Sequence, residues 1–262
     1  MKSLIISLFS ILVLAACSST SNEDQSEGFG NDPNPHAEGF DVEGSGAISI
    51  IIADKVMTAM GGRAAWDRTR YITWNFFGSR TLLWDKHAGN VRIQNHKEDE
   101  QIIVNVNDGT GKVWRNGKEI ADSDSLSNYL NKGKRIWIND SYWLVMPFKL
   151  KDSGVTLHYL MEDETQQGEK SDVLRLTFKE VGVTPGNAYE IWISQEDNLV
   201  KQWAYYRDAS DDSARFTLPW GNYQKMGDIL LSSERGERDL TDVRVLSEVP
   251  ENVFEDFGVS MP

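Results

Sequence analysis

Between residues 48 and 60 the apolar positions Ile48, Ile52, Val56 and Ala59/Met60 recur at helical spacing, which predicts a helix. Gly61-Gly62 supplies its stop, because glycine accepts the left-handed conformation that ends helices. Arg63 to Arg70 leaves room for one more turn, with Trp66 as its apolar anchor. The period then drops to two. Tyr71 to Phe77, Arg80 to Trp84, Asn90 to Gln94, Gln101 to Asn107 and Lys112 to Arg115 are short runs rich in β-branched and aromatic residues, separated by turn residues at Gly78, Gly89, Asp108-Gly109 and Asn116-Gly117. This spacing predicts an antiparallel meander. Asn116-Gly117 is the strongest hairpin signal, since a type I′ turn needs positive φ at both central positions.

Asp122 to Asp140 interrupts the alternation, with Leu126, Tyr129, Leu130, Ile136 and Ile138 mixed among polar residues. We read a helix from about Ser123, a break near Asn131 to Gly133, and continuation through Tyr142-Trp143-Leu144 until Pro147 ends it. Strands resume at Thr156 to Leu160, Asp172 to Lys179, Tyr189 to Ser194, Val200 to Arg207, Ala214 to Thr217, Tyr223 to Met226, Ile229 to Ser232 and Val243 to Leu246. Leu174, Leu176 and Phe178 face opposite to Val173, Arg175, Thr177 and Lys179, and Tyr189, Ile191 and Ile193 oppose Glu190, Trp192 and Ser194. A sheet with one apolar face must cover it. Two helices are too few for both faces of so many strands, so the expected fold is mainly β (α+β): a curved antiparallel sheet forming an unclosed half-barrel, with the helices plugging its concave side.

The N-terminus reads differently. Lys2 gives a positive start, Leu4 to Leu14 is an uncharged apolar run, and Ala15-Ala16 precede Cys17, the order of a secretory signal. The run of about eleven residues falls short of the roughly twenty that cross a bilayer as a helix. Cys17 is the only cysteine, so no disulfide can form within the chain. Ser18 to Gly46 holds almost no aliphatic residues and seven acids, Glu23, Asp24, Glu27, Asp32, Glu38, Asp41 and Glu43, with no Lys or Arg. Such a composition predicts a disordered tether, carrying much of the chain's net charge of −13. The organisation is therefore a signal at 1–16, Cys17 and an acidic tether through residue 46, and a single domain over 47–262.

Candidate chemistry is sparse. His36, His87, His96 and His158 are dispersed, and none has the i, i+4 spacing of a helical zinc site. His87 and His96, flanking the Ala88 to Asn95 hairpin, are the nearest to a metal pair, and no metal or other cofactor is assigned. The acidic groups Glu98-Asp99-Glu100, Glu162-Asp163-Glu164 and Asp208 to Asp212 do not give the ligand series of a calcium loop. There is no Gly-rich phosphate loop, no GxSxG elbow and no basic stripe. The acidity of the chain argues against nucleic acid as a partner. What stands out is an aromatic excess of nine Trp, eight Tyr and ten Phe. Trp74, Phe76, Trp84, Trp137, Trp143, Trp203 and Tyr205 are the candidates for lining an internal cavity, against the plain alternative that they fill a solid core. The face taken by Trp192 is open at this point.

Two resemblances extend this reading. Leu14-Ala15-Ala16-Cys17 resembles the lipobox, in which the thiol receives a diacylglyceryl group and the signal is cut just before it. Gly61-Gly62 with Trp66, Tyr142-Trp143-Leu144-Val145-Met146-Pro147-Phe148-Lys149-Leu150, Val181-Gly182-Val183-Thr184-Pro185 before Tyr189, Gln202-Trp203-Ala204-Tyr205-Tyr206, and Pro219-Trp220 to Tyr223 resemble an uncharacterised group of bacterial lipoproteins in the LolA/LolB-like carrier superfamily. That resemblance implies an unclosed barrel with a helical lid over an apolar cavity for acyl chains, and it carries over no catalytic residue. The projecting leucine loop of LolB-type acceptors has no counterpart here. The expectation is a monomeric, non-enzymatic envelope lipoprotein, held at the outer membrane through acylated Cys17, on its periplasmic face or at the cell surface, that binds lipid or lipoprotein. The alternative is a structural or interaction lipoprotein with a filled core and no small ligand.

Overall fold

The first helix ends because Gly61 takes a φ of +113°, and a Cβ there would meet the Asp228 carbonyl oxygen at 2.4 Å. Only glycine fits such a corner. The computed structural model describes residues 32–262, and Cys17, the predicted signal and residues 18–31 lie outside the described residues. In chain order the elements are α1 (Ala47–Ala59), α2 (Arg63–Arg68), β1 (Tyr71–Phe76), β2 (Arg80–Asp85), β3 (Asn90–Asn95), β4 (Glu100–Asn105), β5 (Gly111–Arg115), β6 (Lys118–Glu119) and α3 (Ser123–Val145). A short 3-10 helix (Met146–Lys149) follows, then β7 (Val155–Glu164), β8 (Lys170–Phe178), β9 (Ala188–Ser194), β10 (Val200–Tyr206), β11 (Phe216–Pro219), β12 (Gly221–Met226), β13 (Ile229–Glu234) and β14 (Leu240–Leu246).

The strands pair antiparallel in three unclosed ladders, ordered β14-β1-β2-β3-β4-β5-β6, β11-β10-β9-β8-β7 and β12-β13. The expectation of an unclosed, mainly antiparallel α+β fold holds, with the strands divided among three ladders. Asn116 and Gly117 adopt φ of 51° and 76° between Arg115 and Lys118, the hairpin that their sequence predicts. Trp192 lies on the outer face of β9, where its Nε1 donates to the Asp163 carboxylate at 3.2 Å.

Three readings are corrected. First, α3 is continuous through Gly133. A Cβ on Gly133 would sit 2.8 Å from Ile102 Cγ2, so this glycine lets the helix settle on β4 and does not break it. Second, Ile48 is half exposed, and α1 buries Ile52, Ala53, Val56, Met57 and the adjacent Met60 instead. Third, the compact unit begins at Pro33, not Ala47. Phe40 is buried, the Ala37 and Asp41 amides donate to the carbonyls of Lys151 and Val155, and the Leu157 amide donates to Ser45 Oγ. Asp41 accepts from the Gly44 amide and the Thr156 hydroxyl, which hold its carboxyl below the usual range. Hydrogen bonds fasten this segment where apolar burial is scarce.

Two buried arginines tie distant parts together. Arg92 on β3 is 2 % exposed. Its guanidinium donates to the carbonyls of Val253 (2.9 Å), Asp256 (3.1 Å), Phe257 (2.9 Å) and Val259 (2.7 Å) and to Gln101 Oε1 (2.8 Å). Arg235, after β13, lies 3.4 Å over the Trp220 ring and donates to the Trp143 carbonyl near the end of α3 (2.6 Å). That carbonyl belongs to the last turn of the helix, where acceptors lack intrahelical donors. Burial lowers the Arg235 pKa to about 9.

Candidate functional site

The inner face of the five-stranded sheet is built by cross-strand register. Leu176, Tyr189, Tyr205 and Phe216 form one row across β8, β9, β10 and β11, and Leu174, Ile191, Trp203 and Leu218 form the next. Along each strand these positions are two apart, so both rows share a face. The second row is filled: Leu174, Ile191 and Trp203 have no exposed surface. In the first, Leu176 is fully buried but Tyr189, Tyr205 and Phe216 are only partly covered, and these three, with the face of Trp203, line a cleft of about 600 Å³ beneath the C-terminal half of α3. Trp137, Tyr142 and Trp143 descend into this cleft from α3, Trp84 closes one end, and the Val181 to Thr184 turn borders another side.

The rings contact one another throughout. Tyr189 stacks on Trp203 at 5.3 Å with 4° between planes, and Trp143 meets Trp203 edge-on at 4.7 Å. Tyr142 approaches Tyr189 at 5.1 Å, Tyr205 approaches Phe216 at 5.2 Å, and Trp84 meets Trp137 at 5.4 Å. Trp203 in turn rests edge-on against Trp220, the ring under Arg235. The buried cation therefore braces the cleft floor from behind, and through the Trp143 carbonyl it also holds α3 in place.

The interior is electrically quiet. Burial raises the phenol pKa of Tyr142 and of Tyr189 well above the ordinary tyrosine value, so both rings stay neutral. The indole N–H groups of Trp84, Trp137 and Trp203 are buried without a hydrogen-bond partner among the described residues. Charge appears only at the border, as Arg135 and the neighbouring Lys149 and Asp152, which pair with each other. A neutral aromatic hollow of this size suits an apolar ligand.

Of the predicted cavity residues, Trp84, Trp137, Trp143, Trp203 and Tyr205 line the cleft. Trp74 does not: it is fully buried in the core of the seven-stranded sheet. Phe76 is also in the core, packed against Phe77 and Trp143. Tyr142, Tyr189, Phe178 and Phe216 line the cleft without having been singled out. For Tyr189 the signal existed, since it alternates with Ile191 and Ile193. His87 and His96 sit at opposite ends of β3, where His87 Nε2 meets the Asp67 carbonyl (2.7 Å) and His96 Nε2 meets Thr81 Oγ1 (2.8 Å). They form no pair, and among the described residues no group of three or more His, Cys, Asp or Glu side chains is placed to hold a metal ion.

No known family pattern matches the sequence, and no curated protein does. Among solved structures, the chain is similar to a DUF1329 family protein from Desulfovibrio piger ATCC 29098, at 13% identity and a TM-score of 0.43, over 79% of this chain and 97% of that one. It is also similar to a LolA superfamily protein from Nitrosomonas europaea, at 11% identity and a TM-score of 0.36, over 79% and 97%.

Proposed function

We propose that this chain is a membrane-anchored lipoprotein that takes acyl chains of lipid or lipoprotein into the aromatic cleft beneath α3, as a carrier or acceptor in the cell envelope. The observation that carries the reading is the cleft itself: about 600 Å³, walled by Trp84, Trp137, Tyr142, Trp143, Tyr189 and Phe216. Ligand pockets commonly span about 300–1,000 Å³, and apolar burial contributes about 0.8 kcal/mol per methylene. The role is one of binding, and no residue is assigned a catalytic part. Attachment through acylated Cys17 rests on the signal and the Leu14-Ala15-Ala16-Cys17 string, and two or more acyl chains would make it lasting. No helix among the described residues is long and apolar enough to cross a membrane.

Mass spectrometry of lipids that co-purify with mature protein carrying Cys17→Ser tests the cleft. Acyl lipids should be recovered, and adding fatty acid or lipopeptide should shift the tryptophan emission. A clean protein whose emission ignores both would overturn the carrier reading and favour the filled-core alternative. For the anchor, Cys17→Ser should move the protein from the membrane to the soluble envelope fraction, and unchanged membrane fractionation would refute lipidation.

A further inference from the structure

Arg135 and Asn139 border two hollows at once. On one side they close the aromatic cleft. On the other they line a shallow groove of about 420 Å³ along α3, together with Arg80, Asn128, Asn131, Lys132 and Ile136. Residues 128, 131, 132, 135 and 139 follow helical spacing, so α3 presents them as one stripe.

The charges of this groove are unequal in freedom. Arg80 is held by Asp140, with its Nε and Nη2 donating at 2.6 and 2.7 Å, and Lys132 is held by Glu100 at 2.6 Å. Both carboxylates are buried beneath the groove and do not line it. Arg135 is exposed and makes no ion pair among the described residues. No Asp or Glu lines this surface, in a chain of net charge −13. Guanidinium and amide groups together suit a carboxylate or phosphate, to which arginine can donate two parallel hydrogen bonds.

We infer that the ligand is an amphiphile with an anionic head: its acyl chain lies in the aromatic cleft, and its carboxylate or phosphate rests at Arg135 among the asparagine amides of the groove. This rests on the reading that the cleft takes acyl chains. The geometry assigns Arg135 the head group because, of the two residues that border both hollows, it is the one that carries a positive charge, and that charge has no ion-pair partner among the described residues.

The test uses the mature chain with Cys17→Ser and four probes of one chain length: dodecanoate, dodecyl phosphate, dodecan-1-ol and dodecylammonium, each titrated against tryptophan fluorescence. An exposed charge contact is worth up to about 1 kcal/mol, or about fivefold in affinity. At least one anionic probe should bind about fivefold more tightly than the alcohol, and the ammonium probe should bind most weakly. Arg135→Gln should abolish that preference, bringing the anionic probes down to the affinity of the alcohol for the same variant, and high salt should weaken it in the parent chain. The better of the two anions identifies the source, a phospholipid head for phosphate and a fatty acid for carboxylate. Equal binding of all four probes, or a preference that survives Arg135→Gln, overturns the head-group assignment and leaves the acyl reading intact. Failure of every probe to bind overturns both.

Discussion

The two large sheets alternate alike in sequence, yet one is solid and the other hollow. On the seven-stranded sheet, Ile72, Trp74, Leu82, Ile93, Ile102 and Val104 are each 2 % exposed or less. On the five-stranded sheet, the row of Tyr189, Tyr205 and Phe216 remains half-buried around the cleft. The cover makes the difference. One helix, α3, serves both: near its middle Gly133 admits Ile102 and Val104 against the helix backbone, and further on Trp137, Tyr142 and Trp143 hold it away from the sheet. Large residues on a covering helix can therefore open space.

The sharpest way to break this comparison is to truncate one aromatic in each half. Trp74→Ala should cost about 3–5 kcal/mol of unfolding free energy, as loss of a fully buried ring does. Tyr205→Ala, at the cleft, should cost under about 1.5 kcal/mol and instead weaken acyl binding, because its ring already faces open space. Urea melts of both variants would decide it, and equal losses would mean that the second half is packed as tightly as the first. Next in size, Arg235→Met should cost about 2–3 kcal/mol by leaving the Trp143 and Ser232 carbonyls without donors. It should also alter the tryptophan emission of the cleft, since it frees the end of α3. Gly133→Ala should cost about 1–2 kcal/mol through overpacking against Ile102, with the same melts as readout and little effect on ligand response.

The smallest effects concern two carboxyls that meet arginines near opposite ends of β2. Burial works against Asp85, but Arg70 and the amides of Ala88 and His87 outweigh it and leave the carboxyl below its usual range. Its contribution to stability is therefore present above the unfolded value, about 3.9, and is lost as pH falls through the lowered one. Asp140 runs the other way. Burial raises it despite its bonds to Arg80, so stability is fullest below the unfolded value and declines as pH rises through the raised one. Stability measured from pH 3 to 7 should lose its acid-side slope in part with Asp85→Asn and steepen with Asp140→Asn.

Strand positions were legible because alternation and turn residues are local signals. The Asn116-Gly117 hairpin needs nothing beyond its own φ angles. Gly133 was misread for the same reason: its helix-weakening tendency is visible in the sequence, whereas the Ile102 methyl it must clear is distant along the chain. Trp74 and Trp143 are one residue type in similar apolar company, but Trp74 packs from β1 into the core and Trp143 projects from α3 into the cleft, a difference set by partners distant along the chain. Residues 33–46 were hidden because polar side chains and backbone amides hold them, with Phe40 almost alone as an apolar contact. Composition registers burial and misses hydrogen-bond partners.

Arg92 holds the returning chain by donating to the carbonyls of Val253, Asp256, Phe257 and Val259, and a backbone carbonyl is the same whatever residue bears it. The clasp thus depends mainly on the presence of those residues, with the Phe257 ring, 5.8 Å from the guanidinium, as a side-chain contribution. During synthesis these residues emerge after every strand, so the guanidinium waits on an otherwise completed wall until they arrive. A chain interrupted before Val253 would leave Arg92 without four of its five acceptors, a built-in mark by which an unfinished copy differs from a finished one.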